Sequence, residues 1–229
     1  PSRTRPFGNA RTNAISLGVD RQANDRTGDI SCLSGCSGRP LSQAETTVAA
    51  WGEYVVAGWN DSKGFCSGAA QGWATSADGG QTFTDQGDVP ALPTGGRYRG
   101  DPVHFVDTST GEFYVLGLYE EAPATGSGLA IMNGHFSGST FVVDGNRKII
   151  AGGADFLDKE WGCVDPVSHA IYVTYSRFVG GGTPQIELVR STDGGTTWSA
   201  PVAVHDAAQN GLVQGSRPVI GPNGELIVY

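Results

Sequence analysis

Short apolar stretches alternate with turn signals along most of the chain, and four of them share one layout. Glu53-Tyr54-Val55-Val56, Glu112-Phe113-Tyr114-Val115, Ala170-Ile171-Tyr172-Val173 and Glu225-Leu226-Ile227-Val228 each follow a preceding apolar stretch and a turn signal, at Gly52, Gly111, Ser168-His169 or Asn223-Gly224. Each reads as the second strand of a β-hairpin. Further strands are predicted at Gln71–Ser76 and Ile186–Ser191. No stretch sustains a 3.6-residue periodicity, so helix is expected to be scarce.

A second pattern keeps the same spacing. Ser76-Ala77-Asp78-Gly79-Gly80-Gln81-Thr82-Phe83 and Ser191-Thr192-Asp193-Gly194-Gly195-Thr196-Thr197-Trp198 both read S-x-D-G-G-x-T-[FW]. Their aspartates lie 115 residues apart, which is two periods of about 57. Halfway between them, Gly134-His135-Phe136-Ser137-Gly138-Ser139-Thr140-Phe141 keeps the second Gly, the Thr and the aromatic but not the Asp. A unit of this length with about four strands describes a β-propeller blade, whose faces are covered only when blades stack. The predicted fold is therefore all-β: four-stranded antiparallel blades, about three and a half of them. Residues 1–40 form a polar arm in which Ile15, Leu17 and Val19 are a candidate strand added to a blade. Residues 41–229 hold units at about 45–96, 101–153 and 159–210 and the start of a fourth at 216–229.

Composition agrees with this picture. The 229 residues include 35 glycines, about twice the usual share, as expected where every blade needs several turns with positive φ. The aromatics (5 Trp, 7 Tyr, 9 Phe) are enough to anchor a core and argue against disorder. In each D-G-G turn the Asp is placed to accept backbone N–H groups further on, so Ser76, Asp78, Gly80, Thr82 and Phe83, and Ser191, Asp193, Gly195, Thr197 and Trp198, read as structural. A structural calcium ion is the one cofactor left open. It is disfavoured because each turn supplies one carboxylate where several oxygen ligands are needed. His104, His135, His169 and His205 share no metal-ligand spacing, and a polar arm is preferred to an ion site for Asp20, Asp25 and Asp29.

Lys+Arg 15 against Asp+Glu 23 gives a net charge of −8. That excludes the basic footprint of a nucleic-acid partner and of an anionic membrane surface, and no apolar run is long enough to span a bilayer. The start at Pro1 fits removal of a signal peptide, and trimming explains it equally. Four cysteines, Cys32, Cys36, Cys66 and Cys163, suggest one or two disulfides and a secreted or cell-surface protein, with Cys32 and Cys36 closing a small loop.

The S-x-D-G-G-x-T-[FW] segments resemble the Asp box, or BNR repeat, of sialidases and related propellers. The resemblance spans residues 41–229 and is strongest to bacterial sialidase-like proteins. On that likeness Glu45-Thr46-Thr47, Gly100-Asp101-Pro102 and Asp158-Lys159 open successive blades. It implies a ring of six blades, near 340 residues at about 57 each. This chain would supply just over three, so the remaining blades are expected in the same or another chain. It also implies a glycan or glycoconjugate partner and exo-glycoside hydrolysis, the alternative being a non-catalytic propeller that binds glycan or protein or serves as a surface component.

Propeller ligands bind over the central channel, by analogy at the level of the fold. Aligning the hairpins puts Glu45, Asp101, Asp158-Lys159-Glu160 and Ser216-Arg217-Pro218 near corresponding positions. Sialidase chemistry requires arginines on a substrate carboxylate, a carboxylic acid, and a Tyr activated by a Glu. Candidates are Arg97, Arg99 and Arg217 for the clamp and Asp101, Glu45 or Asp158 for acid/base work. Lys159 and Glu160 complete the ring, and Trp161 is a candidate sugar platform. The family's Arg-Ile-Pro near the first blade is absent, and no Tyr/Glu pair is assignable from the sequence. Trp51, Trp59 and Trp73 are expected in blade packing.

Overall fold

The computed structural model describes residues 19–25, 43–62, 64, 68–121 and 126–229. Ile15, Leu17, Asp29, Cys32, Cys36 and Cys66 lie outside them. The strands form three four-stranded antiparallel sheets and the opening hairpin of a fourth. The first blade is β1 (Gln43–Trp51), β2 (Tyr54–Asp61), β3 (Gln71–Ser76) and β4 (Thr84–Asp88). The second is β5 (Arg97–Asp107), β6 (Glu112–Glu120), β7 (Ser127–Ser137) and β8 (Thr140–Ala151). The third is β9 (Phe156–Val164), β10 (Ile171–Val179), β11 (Thr183–Ser191) and β12 (Val202–Ala203); β13 (Pro218–Ile220) and β14 (Leu226–Val228) begin a fourth. In each complete blade the strands pair in chain order, so every connection inside a blade is a hairpin. This is a β-propeller architecture, with a 3-10 turn at Ala207–Gln209 between the third blade and the opening of the fourth.

The middle blade explains the apolar runs. The central stretches Phe113–Leu116 of β6 and Gly128–Gly134 of β7 are buried without a break, because both faces of that sheet are covered. Successive side chains point to opposite faces. Phe113 and Val115 of β6 and Ala130 and Met132 of β7 therefore pack with Ala49, Val56 and Trp73 of the first blade. Their neighbours Tyr114, Leu116, Leu129 and Ile131 pack with Leu157, Ile171, Val173, Tyr175 and Val189 of the third. Burying one such side chain contributes roughly 1.5–3 kcal/mol, so the blades are held to each other by two such layers. The outer strand β4 is mostly exposed and carries two aspartates, Asp85 and Asp88, which suits an edge that must not pair with another chain.

The two D-G-G turns superimpose bond for bond. Ser76 Oγ donates to Asp78 Oδ1 (2.7 Å) and accepts from the Gly80 N–H (2.9 Å); Asp78 accepts from Thr82 N–H (2.9 Å) and Thr82 Oγ1 (2.6 Å). In the other turn the corresponding distances are 2.8, 2.9, 2.9 and 2.6 Å. Those hydrogen bonds, with that from the Thr82 or Thr197 hydroxyl first, hold both carboxyls down at about 2. The paired glycines have φ between 68° and 83°, where a β-carbon is strained. At the midpoint copy the Asp is missing and the chain closes a two-residue turn, with Ser137 paired to Thr140 around Gly138. Phe141 there packs edge-on against Trp73, Phe113 and Phe136.

Two expectations are corrected here. Val19 is exposed and belongs to no strand. Cys163 is a free thiol, pushed up to about 12 by burial, so two disulfides cannot form and one at most is left among Cys32, Cys36 and Cys66. Across β6, β7 and β8 of the second blade, Glu112, His135 and Asp144 bring ligand-type atoms within 4.8 Å of one another, with Asp144 Oδ2 2.6 Å from His135 Nδ1. Trp59 and Trp73 are buried, and Trp51 donates from Nε1 to the Thr108 carbonyl (3.0 Å) across to the second blade.

Candidate functional site

The inner strands β1, β5 and β9 each carry a register break at the same place. Pairing shifts between Ala44 and Thr47, between Gly100 and Val103, and in β9 opposite Thr174 and Ser176. Within the breaks, Glu45, Asp101 and Lys159 adopt left-handed backbone with φ of 52°, 51° and 53°. Such conformations are uncommon for residues with a β-carbon and persist where the surroundings impose them. The fourth blade has Gly215 at the matching place, with φ 75°. A bulge of this kind re-aims the side chain that a regular strand would send elsewhere.

The bulges deliver their side chains to one pocket, lined by residues 45–47, 101–103, 159–161 and 215–217. Lys159 Nζ lies among three carboxyls, 2.8 Å from Asp101 Oδ2 and 3.7 Å from both Glu45 Oε1 and Asp158 Oδ1. Asn60, from β2, bridges two blades: Nδ2 donates to Glu45 Oε2 (2.7 Å), and Oδ1 accepts from the Asp101 N–H (2.7 Å). Gly100 makes that approach feasible, since a β-carbon there would stand 2.8 Å from Asn60 Oδ1. Arg217 lies over the Trp161 ring, 4.1 Å from its centroid, a cation–π contact.

The acids are not equivalent. A hydrogen bond with Asp101, together with burial, holds the Glu45 carboxyl above the usual carboxylate range. Asp101 is below that range: burial opposes this, but hydrogen bonds from Glu45 and Lys159 and the Lys159 charge prevail. Burial raises Asp158 and raises Glu160 strongly. Lys159 is held further into its charged form, chiefly by its hydrogen bond to Asp101. The pocket thus sets one carboxyl held below the usual range, Asp101, against three held above it, Glu45, Asp158 and Glu160.

The sequence candidates divide accordingly. Glu45, Asp101, Asp158, Lys159, Glu160, Trp161 and Arg217 come together. Arg97 and Arg99 do not join the pocket lining: both meet Glu120 Oε2 through Nε, at 3.3 and 3.1 Å. A Tyr/Glu pair does exist, with the Tyr175 hydroxyl donating to Glu187 Oε2 (2.6 Å). Tyr175, however, is wholly buried between blades and its phenol is pushed up by that burial, which unsuits it as a nucleophile. Sequence reasoning missed Asn60 and Gly215. Nothing marks Asn60, but Gly215 falls 56 residues after Lys159, one period along.

No protein-family profile matches the sequence, and no curated protein matches it. Solved structures do match. A Hadza microbial sialidase aligns with TM-score 0.56 and 15% identity over 82% of this chain and 41% of its own. Trypanosoma rangeli sialidase in complex with the inhibitor DANA aligns with TM-score 0.58 and 13% identity over 82% of this chain and 34% of its own. The α-L-arabinofuranosidase of Fusarium graminearum with an iminosugar inhibitor gives 0.52 and 12%, over 77% and 51%. At these identities the likeness is one of fold, that of sialidase-like β-propellers, and the chain spans between a third and about half of each.

Proposed function

We propose that this chain is part of an exported, bacterial, sialidase-like exo-glycoside hydrolase, and that its D-G-G turns are Asp boxes of a six-bladed ring. The observation that carries the reading is the pair Glu45 and Asp101, neighbouring carboxyls whose surroundings drive their proton affinities apart. Such a divergence is how one site supplies both an acid and an ionised carboxylate. Glu45 is cast as the general acid, protonating the glycosidic oxygen as the C1–O bond breaks. Asp101, kept ionised by Lys159 and hydrogen-bonded to Glu45, stabilises the positive charge that develops at C1. The Glu45 carboxylate then takes the proton of the water whose oxygen bonds to C1. Asp158 backs Lys159, and Trp161 offers a face for the sugar ring.

The second reading, a propeller that binds glycan without turnover, is favoured by Arg97 and Arg99 being held by Glu120. A panel of fluorogenic exo-glycosides decides between the two. The hydrolase reading expects release from at least one of them, abolished by Asp101→Asn. No release from any, with glycan binding intact in Asp101→Ala, would leave the binding module.

A further inference from the structure

Two buried polar groups at the pocket have no partner. Glu160 is 2% exposed and Ser216 7%, and neither the Glu160 carboxyl oxygens nor Ser216 Oγ is hydrogen-bonded to another described residue. They stand at the same bulge position of adjoining blades, directly after Lys159 and Gly215, and both line the pocket. A folded protein rarely leaves such groups unpaired, since each loses its hydration without compensation. The arrangement anticipates a ligand that donates and accepts hydrogen bonds there.

The charges around it narrow the ligand. Glu45, Asp101 and Asp158 surround Lys159, whose ammonium is already engaged at 2.8 Å with Asp101. Of the three arginines suited to a carboxylate clamp, Arg217 alone lines the pocket, spread over Trp161, whereas Arg97 and Arg99 are tied to Glu120. An anionic sugar entering here meets three carboxyls against two cations, of which Lys159 is already paired and Arg217 lies over Trp161. A hydroxyl meets the unpaired Glu160 carboxyl and the Ser216 hydroxyl, which between them can give and take hydrogen bonds.

We infer that this pocket takes an uncharged sugar residue, its hydroxyls pairing with Glu160 and Ser216, and rejects sugars that carry a carboxylate. The inference rests on the glycan-acting reading above and makes its substrate differ from sialic acid. It is tested by calorimetric titration of the whole chain with methyl β-galactopyranoside, methyl α-arabinofuranoside and a methyl α-sialoside. At least one neutral glycoside is expected to bind more than about tenfold tighter than the sialoside. Ser216→Ala is expected to weaken that binding about tenfold, and Glu160→Leu by about a hundredfold or more, whereas Glu160→Gln stays within about tenfold. Ser216→Ala is also expected to raise the Tm of the free protein, because it removes an unpaired buried hydroxyl. A residue with a purely structural role would not combine higher stability with weaker binding. Sialoside binding equal to or tighter than the neutral sugars overturns the inference and leaves the glycan-acting reading standing. Binding of none of the three overturns both.

Discussion

Two series of positions repeat around this propeller with the same period, and they repeat in opposite senses. At the D-G-G turns the side chains recur and so do the Ser, Asp and Thr hydrogen bonds: Ser76 and Ser191, Asp78 and Asp193, Thr82 and Thr197 make the same contacts within 0.1 Å of one another. At the inner-strand bulges the backbone recurs, with φ of 52°, 51°, 53° and 75°, while the side chains are Glu, Asp, Lys and none. Where the fold needs a turn closed, the residues that close it are repeated. Where the bulge only has to present something to the channel, its conformation is held and the chemistry varies from blade to blade. The turn therefore reads as architecture and the bulge as a place for function.

If that contrast holds, substitutions in the two series should separate activity from stability. The largest expected effect is at Asp101. Asp101→Asn keeps the shape and the hydrogen bonds to Asn60 but loses the charge that Lys159 holds, and turnover of whichever glycoside is released should fall by about a thousandfold or more, with Tm within a few degrees of the parent. A large Tm loss would instead make the bulge structural. Asp193→Ala should show the reverse: unchanged kcat/KM and a Tm lower by about 5 °C, because the turn loses both acceptor oxygens. Since the Asp78 and Asp193 carboxyls sit at about 2 in the folded chain against an ordinary 3.8, their contribution is complete above about pH 4. It is lost as pH falls from 4 toward 2, and the acid limb of a Tm profile should be shallower in Asp193→Ala.

The seam between the first and second blades gives a next effect, of order 3 kcal/mol. His104 is buried there, filling the space beside Gly58, whose β-carbon would stand 2.4 Å from the ring. Burial lowers its pKa to about 4, against a partial pull upward from the Val56 carbonyl. The unfolded chain, with His near 6.5, then binds the extra proton between pH 6.5 and 4. Stability is thus full above pH 6.5 and declines as pH falls through that window, by of order 3 kcal/mol at its lower end. Chemical denaturation at pH 7, 5.5 and 4.5 checks this, and His104→Gln should flatten the profile. Smaller again is Gly100→Ala, with a positive φ of 115° and no room beside Asn60. A cost of about 1–3 kcal/mol is expected, together with reduced turnover, because Asn60 orients Glu45 and Asp101 together.

Most of the fold was legible because blade packing imposes a period. Phe83, Phe141 and Trp198 recur at 58 and 57 residues, and the covered faces of β6 and β7 appear as unbroken apolar runs. The site was legible only as far as the period reached. Alignment by hairpins brings out Glu45 and Asp101, and a strand without the bulge would point Arg97 and Arg99 together with Asp101. The break at Gly100 turns Asp101 the other way and leaves both arginines to Glu120. Asn60 contributes through a rotamer and a neighbouring glycine, and neither leaves a mark on spacing.

The smallest expected change in stability is also the sharpest test of the contrast. Lys159 holds a left-handed conformation that costs a residue with a β-carbon about 1–2 kcal/mol, while its ammonium, 40% exposed, gains from its ion pairs roughly 0–1 kcal/mol after solvent screening. Lys159→Gly removes both, and Gly215 shows that the fourth blade already accepts glycine at this place. The two effects nearly cancel, so Tm should move by no more than about 2 °C. Asp101 and Asp158 would then face each other without the cation between them, Asp101 would regain its proton more readily, and the pH at which activity rises should shift upward. A variant as stable as the parent with a displaced pH profile would mean that the strained bulge is kept for the charge it presents. A variant that unfolds early would mean that Lys159 holds the blades together, and the distinction between turn and bulge would fail at that position.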